Sequence, residues 1–309
     1  MVFDGHSDLL YDVTRRRKTG ETRVLERYHR EELRAGEVEG LMLALWVRPK
    51  KGETFREATE TMFACARAEL RECPWLQVVR TREEAERANA AGKLYAFLSV
   101  EGMAAAGEDP AWIDRYADLG VRAGMLTWNE ENRLAAGAGE DPAKGLTALG
   151  KQAVCRMEAR KILVDVSHLN DGGFWDVLSL ATCPVLASHS NCRSLCDVPR
   201  NLTDDQLRAI RDTGGVVGVN SYHAFVHRDP EKQTVEMLAR HAAHMVEVMG
   251  VEHVACGFDF CGYFGPGNES VRGLEDASQC ENFFRELEKL GMTERERQLI
   301  ARENLLRLL

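Results

Sequence analysis

Proline is scarce, with 8 residues in 309, and no Pro-rich or low-complexity stretch separates one part of the chain from another. With no linker signature, residues 1–309 are expected to form a single domain, a length that one large barrel can absorb. No uninterrupted run approaches the ~18 apolar residues of a membrane span. The amino terminus, Met1-Val2-Phe3-Asp4-Gly5-His6, lacks a basic segment followed by an apolar one. These absences argue against a membrane partner and lead us to expect a cytoplasmic protein. Positive charge is also short: 40 Lys and Arg stand against 49 Asp and Glu, a formal net charge of −9. Tracking nucleic-acid phosphates needs the opposite balance, so no nucleic-acid partner is expected. The tight basic clusters are Arg15-Arg16-Arg17-Lys18 and Arg48-Pro49-Lys50-Lys51, which read as solvated loop charge. The 9 cysteines include no CxxC pair, which removes a thiolate zinc site and leaves reduced, mostly buried thiols.

What is present is a regular alternation of short apolar, β-branched runs with helical patterns. Eight runs can be counted: Val2-Phe3, Leu41 to Val47, Leu94 to Val100, Arg122 to Leu126, Ile162 to Val166, Val185 to Ala187, Val216 to Val219 and Val254 to Cys256. Between them, apolar residues recur every three or four positions, as at Phe55, Ala58, Met62, Ala66 and Leu70, and again from Val235 to Met249 before Gly250. Thr203 with Gln206 forms a capping box ahead of another helix, which closes at Gly214-Gly215. No GxGxxG follows the first run, so a dinucleotide fold loses its usual support. The pattern predicts an α/β protein, a (β/α)8 TIM barrel. Residues 11–38 and 260–278 are expected to be the long excursions.

Barrel active sites are assembled at the carboxyl ends of the strands, so the residue following each run matters most. The first run is followed by His6-Ser7-Asp8, the third by Glu101, the fifth by His168, the sixth by His189 and the eighth by Asp259. His6 and Asp8 lie two apart, so on an extended segment they face the same way and can share one ion. Glu101 ends an apolar run that should be buried, where a carboxylate is costly without a cation. His168 and His189 close adjacent runs at the same level. Three histidines and two carboxylates suit Zn²⁺, with other divalent metals possible. Five ligands are too many for one ion that must keep a position open, whereas two ions sharing a carboxylate resolve the count.

Taken together, Asp4-Gly5-His6-Ser7-Asp8-Leu9, Val100-Glu101-Gly102, Leu126-Thr127-Trp128-Asn129, Leu163 to His168, Ala187-Ser188-His189-Ser190-Asn191, Pro199 to Thr203 and Gly257-Phe258-Asp259-Phe260 resemble the membrane or renal dipeptidase family, peptidase family M19. The stretches come in family order and span positions 4 to 260. The resemblance implies a metallo-dipeptidase, a binuclear zinc hydrolase with two Zn²⁺ per chain. In it His6 and Asp8 hold one zinc, Glu101 bridges, His168 and His189 hold the second, and a metal-bridging hydroxide attacks the substrate. It also implies that Asp259 is the catalytic acid/base, that Arg200 binds the free carboxylate of a dipeptide, that a C-terminal D-residue is tolerated, and that the protein is a homodimer.

Two positions depart from the family pattern. Trp128 stands where a histidine is common, and an indole donates one hydrogen bond but takes no proton. Cys261 stands where aspartate often repeats. Trp128, with Asn220 and Tyr222 after the seventh run, is expected to line the substrate pocket. His241 and His244, three apart on a helix, are expected to be exposed and structural, and Cys192 and Cys196 to be structural. The rival readings are a deacylase or lactonase acting on another small carboxylate-bearing substrate, and a non-catalytic metal-bound scaffold.

Overall fold

The computed structural model describes residues 1–309. Nine strands form one sheet in which every pairing is parallel: β1 (Val2–Ser7), β2 (Val38–Trp46), β3 (Leu76–Val78), β4 (Leu94–Glu101), β5 (Val121–Met125), β6 (Leu163–Asp165), β7 (Leu186–Ala187), β8 (Val216–Val219) and β9 (Val254–Cys256). Eight follow one another in the order β1-β2-β4-β5-β6-β7-β8-β9, and β3 pairs only with β4 outside that path. β9 returns beside β1, where the Phe258 N–H donates to Asp4 Oδ1 at 2.8 Å. The result is the nearly closed (β/α)8 barrel that the alternation of runs and helices predicts. β3 was not expected, because three residues carry too little periodicity to mark a strand.

Burial on both faces explains why the strands read as continuous apolar runs. Outside the barrel, 66 buried residues pack the helices against the sheet. Inside, a second cluster of 13 includes Phe3, Met42, Tyr95, Phe97, Leu186 and Val216. On β4 the inward positions recur every second residue, so Tyr95, Phe97, Ser99 and Glu101 climb one wall toward the mouth. Gly40 on β2 makes room for the lowest of them, since a Cβ there would lie 2.1 Å from the Tyr95 ring. The amino end of the barrel is sealed by Leu305 and Leu306, and Asn304 donates to the carbonyls of Val251 and Val254 at 2.7 and 2.8 Å.

Helix signals mostly appear where the sequence puts them. Thr203 and Gln206 form the capping box of helix Asp204–Asp212, and Gly250 ends helix Val235–Met249 with φ of 87°. The segment 11–38 corrects an expectation. It is largely helical, with Leu9–Arg17 followed by a π-helical turn Leu25–His29 that runs into helix Arg30–Ala35. The dense charge hid a short apolar stripe, Leu9, Leu10 and Val13, which is buried against the barrel. The cluster Arg15-Arg16-Arg17 is therefore helical rather than loop, placed in the last turn where cations suit the helix dipole. Arg17 is tied to Glu69 and Glu72 at 2.5 and 2.9 Å.

Candidate metal centre

Six ionisable side chains from five strand ends converge at the carboxyl mouth. His6 lies within β1, and Asp8 sits at the N-cap of helix Leu9–Arg17 without capping it, which leaves its carboxylate free. Glu101 is the last residue of β4. His168 and His189 sit in the turns after β6 and β7, and Asp259 follows β9. His168 and Asp259 adopt left-handed backbone, φ of 71° and 58°, a conformation that costs energy outside glycine and concentrates at functional sites. The Ala138 N–H holds the His168 carbonyl at 2.8 Å. The turn carrying His189 is brought close by Gly218 and Gly257, where a Cβ would lie 2.1 and 1.7 Å from the Ser188 carbonyl oxygen.

The two oxygens of Glu101 face different partners. Oε2 is 3.3 Å from His6 Nε2, whereas Oε1 is 2.7 Å from His168 Nε2 and 3.8 Å from His189 Nε2. On the first side, His6 Nε2 also lies 3.8 Å from both Asp8 Oδ1 and Asp259 Oδ1. Two trios, His6-Glu101-His189 and His6-Asp8-Asp259, have their donor atoms within 4.8 Å of one another.

This donor set fits a divalent cation on three grounds. Both nitrogens of His6, Asp8 Oδ1 and Glu101 Oε2 are buried without a hydrogen-bond partner, which is unfavourable unless something else engages them. The His168 Nδ1 is 2.8 Å from Asn129 Oδ1, an acceptor only, so its proton sits there and the Nε2 lone pair is bare. His189 Nδ1 meets Ser188 Oγ at 2.8 Å, which directs its Nε2 toward that of His168, 2.9 Å away. Lone pairs so directed repel unless a cation lies between or beside them.

The electrostatics agree. Burial opposes charge on His6, yet Glu101, Asp259 and Asp8 outweigh it and push its pKa to about 10, a measure of the positive charge these carboxylates attract. Burial keeps His168 neutral, down to about 4, and holds His189 well below its ordinary value, with His6 and Arg200 adding to the effect. Burial also works against the Glu101 carboxylate, but His6 and His168 hold it well below the usual range.

Asp259 is held from both sides: Asn220 Nδ2 donates to its Oδ2 at 3.0 Å and the Cys261 thiol to its Oδ1 at 3.2 Å. Asn220 is thus engaged with Asp259, and its own Oδ1 accepts the Tyr222 N–H at 2.7 Å. The Tyr222 hydroxyl donates to the Gly267 carbonyl at 3.1 Å. Arg200 is 7% exposed and donates to the His189 carbonyl and to Ser190 Oγ, but it has no carboxylate partner and its Nε is unpaired. Burial lowers its pKa to about 10 against the pull of Asp259 and Glu101, so it remains charged at neutral pH. Trp128 is half-buried, its ring 6.0 Å from His168 and 5.3 Å from Trp46, and both tryptophans line a cavity of about 500 Å³ that opens beside Glu101. A roomier cavity of about 810 Å³ lies elsewhere, lined by residues such as Glu37 and Glu281 and by none of these six side chains.

Sequence reasoning passed over three residues that tie the mouth together. Asn129 fixes the His168 tautomer. Asp165 Oδ1 accepts the N–H groups of Ser167 and Ser188 at 3.0 and 3.1 Å, linking the turns that carry His168 and His189. Asp4 links β1 to the Asp259 segment. A lone aspartate inside an apolar run was the available signal for the last two. His241 corrects another expectation: it is fully buried, with Nδ1 accepting the Cys192 N–H at 3.1 Å, because its helix face packs under the turn after β7. His244 does have a carboxylate partner, Asp204 at 2.8 Å. Cys192 and Cys196 are buried and free.

Comparison with known proteins follows the same lines. A crystal structure of a metallopeptidase from Rhodobacter sphaeroides, bound to a phosphinate mimic of the dipeptide L-Ala-D-Ala, is 25% identical, with a TM-score of 0.88 over 99% of this chain and 97% of that one. The family M19 metallopeptidase dipeptidase AC is 27% identical, with a TM-score of 0.87 over 99% and 97%. An uncharacterized dipeptidase of Schizosaccharomyces pombe is 33% identical over 213 residues, 68% of this chain and 51% of that protein, so the match spans about half of that relative. An uncharacterized protein of Klebsiella pneumoniae is 37% identical over 196 residues, 60% of this chain and 72% of the relative. No helix of the structure is long and apolar enough to cross a membrane. Residues 1–309 match the sequence model of the membrane dipeptidase family, peptidase family M19, and the chain belongs to that metallopeptidase family.

Proposed function

We propose that the chain, acting as one unit over residues 1–309, hydrolyses dipeptides, including those ending in a D-residue, with two zinc ions held by His6, Asp8, Glu101, His168 and His189. The observation that carries this reading is Glu101, whose two oxygens address separate histidine groups while one of them has no hydrogen-bond partner. Bound ions polarise a carbonyl and make water acidic enough to attack it at neutral pH. Arg200, a buried guanidinium without a counter-ion, takes the free carboxylate of the substrate through its fork of donors. Asp259 accepts the proton of the attacking water and passes it to the leaving amine, and Asn220 and Cys261 aim its two oxygens. Trp128 walls the pocket and offers a donor N–H without exchanging a proton. Tyr222, through Gly267, braces the loop that covers the same side. Nine unpaired cysteines suit a reducing compartment such as the cytoplasm, and a homodimer is the assembly we propose.

The test is metal analysis of purified protein alongside a panel of dipeptides of both C-terminal configurations. Near two ions per chain, hydrolysis abolished by a chelator and activity restored by zinc are the expected results. Retained metal without hydrolysis of any dipeptide would transfer the centre to a deacylase or lactonase. Failure to hold metal would remove the reading altogether.

A further inference from the structure

Two basic runs, Arg15 to Lys18 and Arg48 to Lys51, separated in the chain by the whole of β2, meet at the mouth of the barrel. Arg15 and Lys18, at the end of helix Leu9–Arg17, line one cavity with Arg48 and Lys50 from the loop after β2. Arg48, Lys50 and Lys51 also line the neighbouring cavity that reaches Glu101. In a chain of net charge −9, the first of these cavities sets four cations against one carboxylate, Glu53. Arg48, Lys50 and Lys51 make no ion pair, while of the four carboxylates lining the same cavity Glu101 belongs to the histidine cluster, Glu131 is taken by Lys144 at 2.5 Å and Glu53 accepts the Lys50 N–H at 2.9 Å, which leaves Glu130 against three cations.

The cavity also has a direction. Arg200 follows β7, whereas the cavity lies over β2, β4 and β5, across the barrel mouth. A dipeptide with its carboxylate on Arg200 and its amide beside Glu101 sends its amino-terminal residue into the cavity that Trp46 and Trp128 wall on one side, with the cations at the far end. We infer that the enzyme favours dipeptides whose amino-terminal residue has an acidic side chain, glutamate above all, its methylene stem lying on the tryptophans and its carboxylate reaching Arg48, Lys50 and Lys51. This rests on the dipeptidase reading above. Because the cations are exposed, the preference is modest and salt-sensitive.

The test compares kcat/KM for L-Glu-D-Ala, the isosteric L-Gln-D-Ala and L-Ala-D-Ala. The wild-type Glu/Gln ratio is expected at about three to ten in low salt and near one in ~0.5 M NaCl, as screening removes exposed attractions. In the Arg48→Ala/Lys50→Ala/Lys51→Ala variant it is expected near one at either salt concentration, whatever happens to the absolute rates. A wild-type ratio at or below one, or a ratio untouched by salt and by the triple substitution, overturns the inference and leaves the dipeptidase reading standing. Hydrolysis of none of the three peptides removes both.

Discussion

Two glutamates are buried on neighbouring strands of the same barrel, one near each end, and they are treated in opposite ways. Glu39, on β2 toward the sealed end, is met by the Arg302 guanidinium, the Tyr95 hydroxyl at 3.1 Å and Asn89 Nδ2 at 2.7 Å. Glu101, at the open end of β4, is met by histidines alone and keeps an oxygen without a hydrogen-bond partner. A buried carboxylate that the chain satisfies by itself contributes to structure. One that the chain leaves incomplete, among other incomplete donors, contributes to binding, and its unpaired oxygen is engaged only when a cation arrives.

The sharpest way to break this comparison is to neutralise each glutamate in turn. Glu101→Gln should lower kcat/KM by about 10³-fold or more, since it removes several kcal/mol of metal-assisted stabilisation, and should reduce the bound metal measured by elemental analysis. Added zinc should raise the melting temperature of the wild type and leave that of this variant nearly unchanged, because an ion bound only by the folded state stabilises it. Equal stabilisation of both proteins by zinc would mean that Glu101 takes no part in holding the ion. Asp259→Asn comes next, with kcat lower by about 10²- to 10⁴-fold and the metal content retained, which separates proton handling from ion binding. Glu39→Gln should do the reverse of Glu101→Gln: about 3 kcal/mol of stability lost in urea denaturation, because Arg302 is left facing a neutral amide, with activity per folded molecule unchanged. A large catalytic defect in that variant would erase the distinction between the two ends.

The same contrast explains what was legible in the sequence. His6, Glu101, His168, His189 and Asp259 each lie at or just beyond the carboxyl end of a buried strand, and an ionisable group in that position stands out because burial makes it expensive. The barrel was legible for a related reason, as strands covered on both faces read as uninterrupted apolar runs. Partners that satisfy polar groups across long separations were not legible. Nothing local to Asn129 announces that it sets the tautomer of a histidine 39 positions away, or near Asp4 that it reaches Phe258, 254 positions on. Charge misled in the segment 11–38, where salt bridges stand in for the amphipathic pattern. His241 misled because the helix face that buries it is defined by the turn after β7 and not by its own helix.

A third carboxylate separates position from satisfaction. Asp12 lies one helical turn beyond Asp8, at the open end, yet it is fully buried and has partners in His29 at 3.0 Å, Arg16 at 2.8 Å and Arg15 at 2.5 Å. Burial pushes its carboxyl pKa up, but the hydrogen bonds from His29, Arg15 and Arg16 outweigh that and bring it from 3.8 down to about 2. A carboxyl with a depressed folded-state pKa stabilises the fold fully above its unfolded value, and the contribution fades as pH falls through the folded one. Asp12→Asn should therefore cost at most about 2 kcal/mol near neutrality. In metal-free protein, the difference in unfolding free energy between wild type and variant should stay flat down to about pH 4.5 and shrink toward pH 2, since protonation makes the wild-type carboxyl as neutral as the amide. If Asp12→Asn instead lost bound metal and activity, as is expected of Glu101→Gln, nearness to the mouth rather than the completeness of its partners would be what distinguishes the two ends of the barrel.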